Sequence, residues 1–96
     1  MNTAEFIREK RDEIMRITAR YGATDIRVFG SMARGDADSE SDIDFLVRLA
    51  PGCTLLHHAA MVRELESLLG RNVDVISERG LRSRIRERVL NEAVPL

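Results

Sequence analysis

The sequence predicts one small α/β (α+β) domain over residues 1–96: a mixed three-stranded sheet flanked by helices, in the order α-β-β-α-β-α. Three observations predict it. Apolar residues recur at helical spacing near the start, middle and end of the chain. Between them lie three short, alternating, β-branched runs. Only a loop separates the first two runs, so they are expected to pair antiparallel. A helix separates the second from the third, which favours a parallel, right-handed crossover.

Each element has its own signals. From about Thr3 to Tyr21 the residues Phe6, Ile7, Ile14, Ile17 and Tyr21 share one helical stripe, with Arg and Glu between them. Asn2 or Thr3 can cap its start, and Gly22 suits the left-handed residue that ends it. Asp25–Phe29 is the first strand. Residues 30–41 are small and polar and contain Gly30 and Gly35, the pattern of a loop with room for one helical turn. Asp42–Leu49 is the second strand, and Pro51-Gly52 a turn. Thr54 caps a helix running to about Leu69, with Leu55, Ala59, Val62, Leu65 and Leu69 expected on its inner face and Gly70 closing it. Asn72–Ser77 is the third strand. Leu81 to about Ala93 is the last helix, with Leu81, Ile85 and Val89 as its stripe, and Pro95 prevents much continuation.

Composition narrows the function classes. With 44% hydrophobic and 32% charged residues the chain is expected to fold, not to remain disordered. A net charge of −1 gives no global attraction to nucleic acid or anionic membrane. Cys53 is the only cysteine, so no internal disulfide is expected and a cytoplasmic location is the simplest reading. Met1–Lys10 is charged and lacks the apolar run of a signal peptide. Nothing approaches the ~18 consecutive apolar residues of a membrane helix, so no membrane role is expected.

The chemistry concentrates around one acidic pair. Asp42 and Asp44 lie at i and i+2 on the second strand, so both side chains point to one face, about 6.5–7 Å apart at Cα. That offset suits two carboxylates sharing a pair of divalent cations. Oxygen ligands without His or Cys favour Mg²⁺ or Mn²⁺ over Zn²⁺. D-x-D alone is a weak signal; its surroundings strengthen it. Gly30-Ser31 follows the first strand, where glycine lets backbone N–H groups approach a phosphate and serine adds a hydroxyl. Arg34 offers a fork suited to phosphate oxygens, and Gly35 permits the turn back. Asp74 lies in the middle of the third strand between Val73 and Val75, where a carboxylate is costly unless a charge faces it. If the third strand neighbours the second, Asp74 meets Asp42 and Asp44.

Other features read more plainly. Gly30 to Gly35 fits G-x-x-x-x-G, but residue 36 is Asp where a P-loop needs Lys. Ser31 lacks the G-x-S-x-G of a serine hydrolase. His57 and His58 are adjacent on a helix and read as ordinary histidines. Asp36, Asp38 and Glu40 read as solvated loop residues, and Met15, Met32, Met61 and Cys53 as packing or surface residues. Arg79, Arg82, Arg84, Arg86 and Arg88 form the one basic patch. A solvated outer face explains it most simply; a partner or nucleic-acid surface is the alternative. No aromatics interleave with these arginines, which weighs against direct nucleic-acid binding.

The runs G-S-M-A-R-G, S-D-I-D-F-L-V and V-D-V-I-S together resemble the minimal nucleotidyltransferase (MNT) family of the polymerase-β-like nucleotidyltransferase superfamily. The match is close over about Val28 to Ser77. The resemblance implies that Gly30 and Ser31 hold a nucleoside triphosphate, with Arg34 and Gly35 continuing the nucleotide-binding loop. It implies that Asp42, Asp44 and Asp74 are the metal ligands and catalytic residues, Asp74 also assisting deprotonation of an acceptor hydroxyl. The implied cofactor is a pair of Mg²⁺ ions, with Mn²⁺ as a substitute, and the implied substrate is ATP. A chain this short resembles the MNT antitoxins that accompany HEPN-domain ribonuclease toxins, which implies transfer of AMP to a tyrosine of a HEPN toxin partner. Two alternatives stay open: an antitoxin that only masks its partner, and transfer to a small molecule such as an aminoglycoside.

Overall fold

Lys10 divides the N-terminal segment. In the computed structural model, which describes residues 3–38 and 40–96, the single helix expected from Thr3 to Tyr21 is two: α1 (Thr3–Glu9) and α2 (Arg11–Arg20). Lys10 has φ −91° and ψ 4°, and its N–H is shared between the carbonyls of Phe6 and Ile7. Ile7, Ile14 and Ile17 still reach one core, which is why apolar spacing runs across the break without revealing it. The break leaves the Thr3 hydroxyl donating to the Asp38 carbonyl at 3.4 Å. Thr3 is therefore a helical residue with a tertiary partner, and the other expected cap, Asn2, lies outside the described residues.

β1 (Ala23–Phe29) runs antiparallel to β2 (Ile43–Leu49), and β2 runs parallel to β3 (Val73–Ser77), both as expected. Between β1 and β2 lies a one-turn helix, α3 (Ser31–Arg34). The helix α4 (Leu55–Leu69) makes the crossover from β2 to β3. A 3₁₀ turn (Glu78–Gly80) precedes α5 (Ser83–Glu92). The sheet has four strands, not three: β4 (Val94–Pro95) pairs antiparallel with β1, giving the order β3-β2-β1-β4. Pro95 stops the helix and then serves an edge strand, where its missing N–H costs least.

Thr54 caps α4 by accepting the His57 N–H at 3.1 Å, while His57 Nδ1 accepts the Thr54 N–H at 3.3 Å. Gly70 ends the helix in the left-handed conformation at φ 66°. The buried residues of α4 are Met61, Leu65 and Leu69; Leu65 and Leu69 are as expected, Val62 is partly buried against the same core, and Met61 joins them. Leu55, however, is 86% exposed and Ala59 is exposed: the first turns of α4 present that side to solvent while His58 faces β3. His58 Nε2 meets the Val75 carbonyl at 2.8 Å, and Glu66 accepts the Val73 N–H at 3.1 Å. Side chains of α4 thus occupy outward-facing backbone groups of β3, an edge strand that would otherwise invite pairing.

Strand alternation separates two faces. Ile43, Phe45 and Val47 with Val73 and Val75 pack beneath α2 and α4 against Ile14, Met61 and Leu65. On the other face Leu46 meets Leu81 and Val89 in a much smaller cluster beneath α5. Of the stripe expected for α5, Ile85 is 45% exposed, so the helix touches the sheet only through its last turns and the segment before it.

Candidate active site

The register of the sheet assembles the site. In the antiparallel ladder Phe29 lies opposite Asp44, so the chain leaving β1 at Gly30 runs beside Asp44. In the parallel ladder Asp44 lies opposite Asp74. In-register partners share a face, so Asp44 and Asp74 stand together on the α5 side at the end of the sheet where β2 and β3 begin, and Asp42, just before β2, lies near enough for its charge to act on Asp44. Asp44 is half-buried, whereas Asp42 and Asp74 are exposed. Asp74 therefore escapes the burial cost that its apolar neighbours suggested. Val73 and Val75 point to the core and Asp74 points away from it.

Gly30 is dictated by this approach. It adopts φ 70° and ψ −145°, a conformation open to little but glycine. A methyl group there would lie 2.5 Å from Asp44 Oδ2. Backbone and carboxylate are packed as closely as the absent side chain permits. Ser31 follows and begins α3, whose short turn closes with the Gly30 carbonyl accepting the Arg34 N–H at 3.1 Å. Gly35 ends α3 at φ 81° with open space around it, so its glycine serves the turn.

Electrostatics follow from crowding. Burial, and then the charges of Asp74 and Asp42, raise the Asp44 carboxyl above the usual aspartate range, against a lowering pull from Arg34. One arginine does not neutralise three acids. The Arg34 guanidinium itself meets Glu92 of α5 at 3.1 Å and Asp36 at 3.3 Å, and both hold it more firmly protonated. Glu92 was not foreseen from sequence; nothing in local spacing links residues 34 and 92.

Among the described residues, no three His, Cys, Asp or Glu side chains close on a single point as a ready-made metal cage. The aspartates instead cluster at one end of the sheet. Their fit to a hard divalent cation rests on the all-oxygen donor set and on the repulsion that raises Asp44, which positive charge would relieve.

Arg71 was also missed. Its guanidinium donates to the carbonyls of Asp38 (2.6 Å) and Ser41 and to Thr3 Oγ1 at 3.1 Å, tying α1 to the loop that delivers Asp42. A lone arginine between a helix-ending glycine and a strand carries no sequence signal of such a role. Next to it, Glu40, Ser41, Asp42, Glu66 and Asn72 line a cleft of about 420 Å³.

Comparison with known proteins agrees with this geometry. A family model described as a nucleotidyltransferase domain matches residues 8–96. A Methanocaldococcus jannaschii protein, provisionally named a protein adenylyltransferase, is 38% identical over 92% of this chain and 95% of its own. The protein adenylyltransferase MntA of Thermococcus cleftensis is 41% identical over 78% of this chain and 76% of its own. A solved structure provisionally described as a minimal nucleotidyltransferase superposes with a TM-score of 0.88 at 51% identity, covering 100% of this chain and 97% of that one. At 19% identity the fold alone is shared (TM-score 0.70, 92% of this chain and 69% of the other) with a complex of a tri-AMPylated Shewanella oneidensis HEPN toxin and an MNT antitoxin.

Proposed function

The chain belongs to the nucleotidyltransferase domain family, and from that premise we propose that it moves AMP from ATP to a tyrosine hydroxyl of a HEPN-domain toxin, acting as the antitoxin of the pair. The observation that carries this reading is the juxtaposition of Gly30, Asp44 and Asp74: a glycine turn pressed against one carboxylate and a second carboxylate directly across the ladder. The names of the relatives, protein adenylyltransferase for the archaeal proteins and MNT antitoxin for the structural neighbour, support the choice of acceptor.

In this reading Asp42, Asp44 and Asp74 would hold two Mg²⁺ ions, or Mn²⁺ in their place. When bound, these ions supply positive charge to the entering and leaving oxygens of phosphoryl transfer. The chain's own residues do the rest. The Gly30 backbone and the Ser31 hydroxyl donate to triphosphate oxygens, and Gly35 lets the loop turn back over them. Arg34 stands beside the acids as a fixed positive fork whose partners, Asp36 and Glu92, orient it. Exposed Asp74 takes the proton of the tyrosine hydroxyl. The tyrosine oxygen forms its bond to the α-phosphorus as the bond to pyrophosphate breaks.

The test uses the purified HEPN-domain partner and α-labelled ATP with Mg²⁺. Label is expected in the partner with the native chain and to disappear with Asp44→Asn. Full neutralisation of the toxin by Asp44→Asn without label transfer would establish masking instead. Labelling of an aminoglycoside with no protein acceptor present would establish a small-molecule enzyme.

A further inference from the structure

Residues 82–88 are all exposed, Ile85 among them. The first two turns of α5 therefore stand off the sheet, which the helix reaches through Val89 and Leu90. The side chains of Arg79, Arg82, Arg84 and Arg88 have neither ion pair nor hydrogen bond among the described residues, whereas Arg27, Arg34 and Arg48 each meet a carboxylate. Among the described residues the Arg86 side chain bonds only the Glu78 carbonyl, at 2.9 Å.

This arrangement works against the helix that carries it. Arg82 and Arg86, like Arg84 and Arg88, are four residues apart, a like-charge spacing that destabilises a helix. So short a helix, without packing beneath its first half, is marginal alone. Glu87 is the one acid within that stretch. Neither core packing nor helix stability explains the comb; a surface that covers it does.

The comb also faces the right way. α5 packs on Leu46, which alternates with Asp44 on β2, so the arginines rise from the face that carries the aspartates. At its far end Glu92 bonds Arg34 at 3.1 Å. At 1.5 Å per residue, Arg88 and Arg82 lie about 6 and 15 Å back along the axis from that contact. Arg84 and Arg88 follow one flank of α5 and Arg82 and Arg86 the other, and a molecule lying along either row ends near the candidate active site.

The geometry points to α5 as the docking surface for the protein acceptor, recognising an acidic face that flanks the modified hydroxyl, with Ile85 entering an apolar spot within it. This rests on the reading that the acceptor is a protein. Nucleic acid fits less well: no aromatic side chain stands among the arginines to stack a base.

The experiment measures binding of the purified HEPN-domain acceptor without nucleotide, by calorimetry, to the native chain and to Arg82→Glu/Arg84→Glu/Arg88→Glu. The milder Arg82→Gln/Arg84→Gln/Arg88→Gln is carried in parallel, and circular dichroism checks that α5 persists. Affinity should fall at least about tenfold on reversal and less on neutralisation, and native affinity alone should weaken strongly between about 0.05 and 0.3 M salt. Mg-ATP affinity should not change. Equal acceptor affinity for all three chains, or no binding by the native chain, overturns the inference. So does loss of RNA-oligonucleotide binding on reversal with acceptor binding intact. Failure of label transfer with comb-dependent binding retained would strike the adenylylation reading and leave the docking surface standing.

Discussion

The two faces of the β2–β3 ladder are built from alternate residues of the same strands, yet they solve different problems. Beneath α2 and α4, Ile43, Phe45, Val47, Val73 and Val75 are nearly free of solvent and packed against Ile, Met and Leu side chains of the covering helices. On the α5 side the same strands present Asp44, Arg48 and Asp74, with only Leu46 fully buried between them. One face lowers free energy by removing apolar surface from water. The other holds like charges at neighbouring ladder positions, a destabilising arrangement that persists because the first face and the chain connections fix it. The difference teaches that stability and chemistry can be separated by a single-residue step along a strand.

The largest expected effect comes from the charged face. Asp44→Asn should reduce AMP transfer about a thousandfold. In metal-free protein it should raise the melting temperature, because it removes the carboxylate that burial and its neighbours disfavour. A variant that loses activity by losing stability would break the comparison; calorimetry beside the label-transfer assay decides.

Phe45→Ala, one residue along on the packed face, should do the opposite. It should cost about 3–5 kcal/mol of unfolding free energy, since the side chain is 1% exposed, while the surviving folded fraction keeps its turnover. Denaturant unfolding measures the loss.

Gly30→Ala joins both kinds of damage. The residue must leave a conformation worth roughly 1–3 kcal/mol of strain to a side chain, and its methyl must displace the Asp44 carboxylate. Transfer should fall by about one to two orders of magnitude, with a modest drop in melting temperature.

Arg71→Ala should release the loop before Asp42 and lower turnover by roughly tenfold, with partial recovery when free guanidinium is supplied. Recovery separates the positioning role from simple loss of packing.

The smallest effect lies at the far end of the charged face. Glu78 bonds Arg48 at 2.7 Å and pairs with Arg27 at 3.1 Å, and these partners hold its carboxyl below the usual glutamate range. Its stabilising contribution is therefore complete at neutral pH and is lost as pH falls through that lowered value. The stability difference between the native chain and Glu78→Gln, about 0.5–1 kcal/mol, should close below the usual glutamate range. A gap that widens on acidification would reverse the sign.

Local pattern exposed much of this. Alternation put Asp44 on one side of the second strand and Ile43, Phe45 and Val47 on the other, and the loop-then-helix connections implied antiparallel and then parallel pairing, as observed. Spacing could not show where α1 ends, because Ile7 and Ile14 serve one core on either side of Lys10. Nor could it orient α4. Leu65 and Leu69 are buried as their spacing implied, but only packing decides that Met61 joins them while Leu55 and Ala59 face solvent. The fourth strand is two residues long and contains a proline, too little for any periodicity to register.

The sequence by itself determined which residues could bear charge on which side of each strand, and that a glycine-serine turn follows the first of them. Alternation and turn chemistry act within a few residues and are written in the order of the side chains. Only the tertiary structure decided that Asp74 stands directly across from Asp44, that Gly30 touches that same carboxylate, and that Glu92 and Arg71 brace the loops around them. Those contacts depend on strand register and helix placement, which packing across the whole core sets and no local run of residues contains.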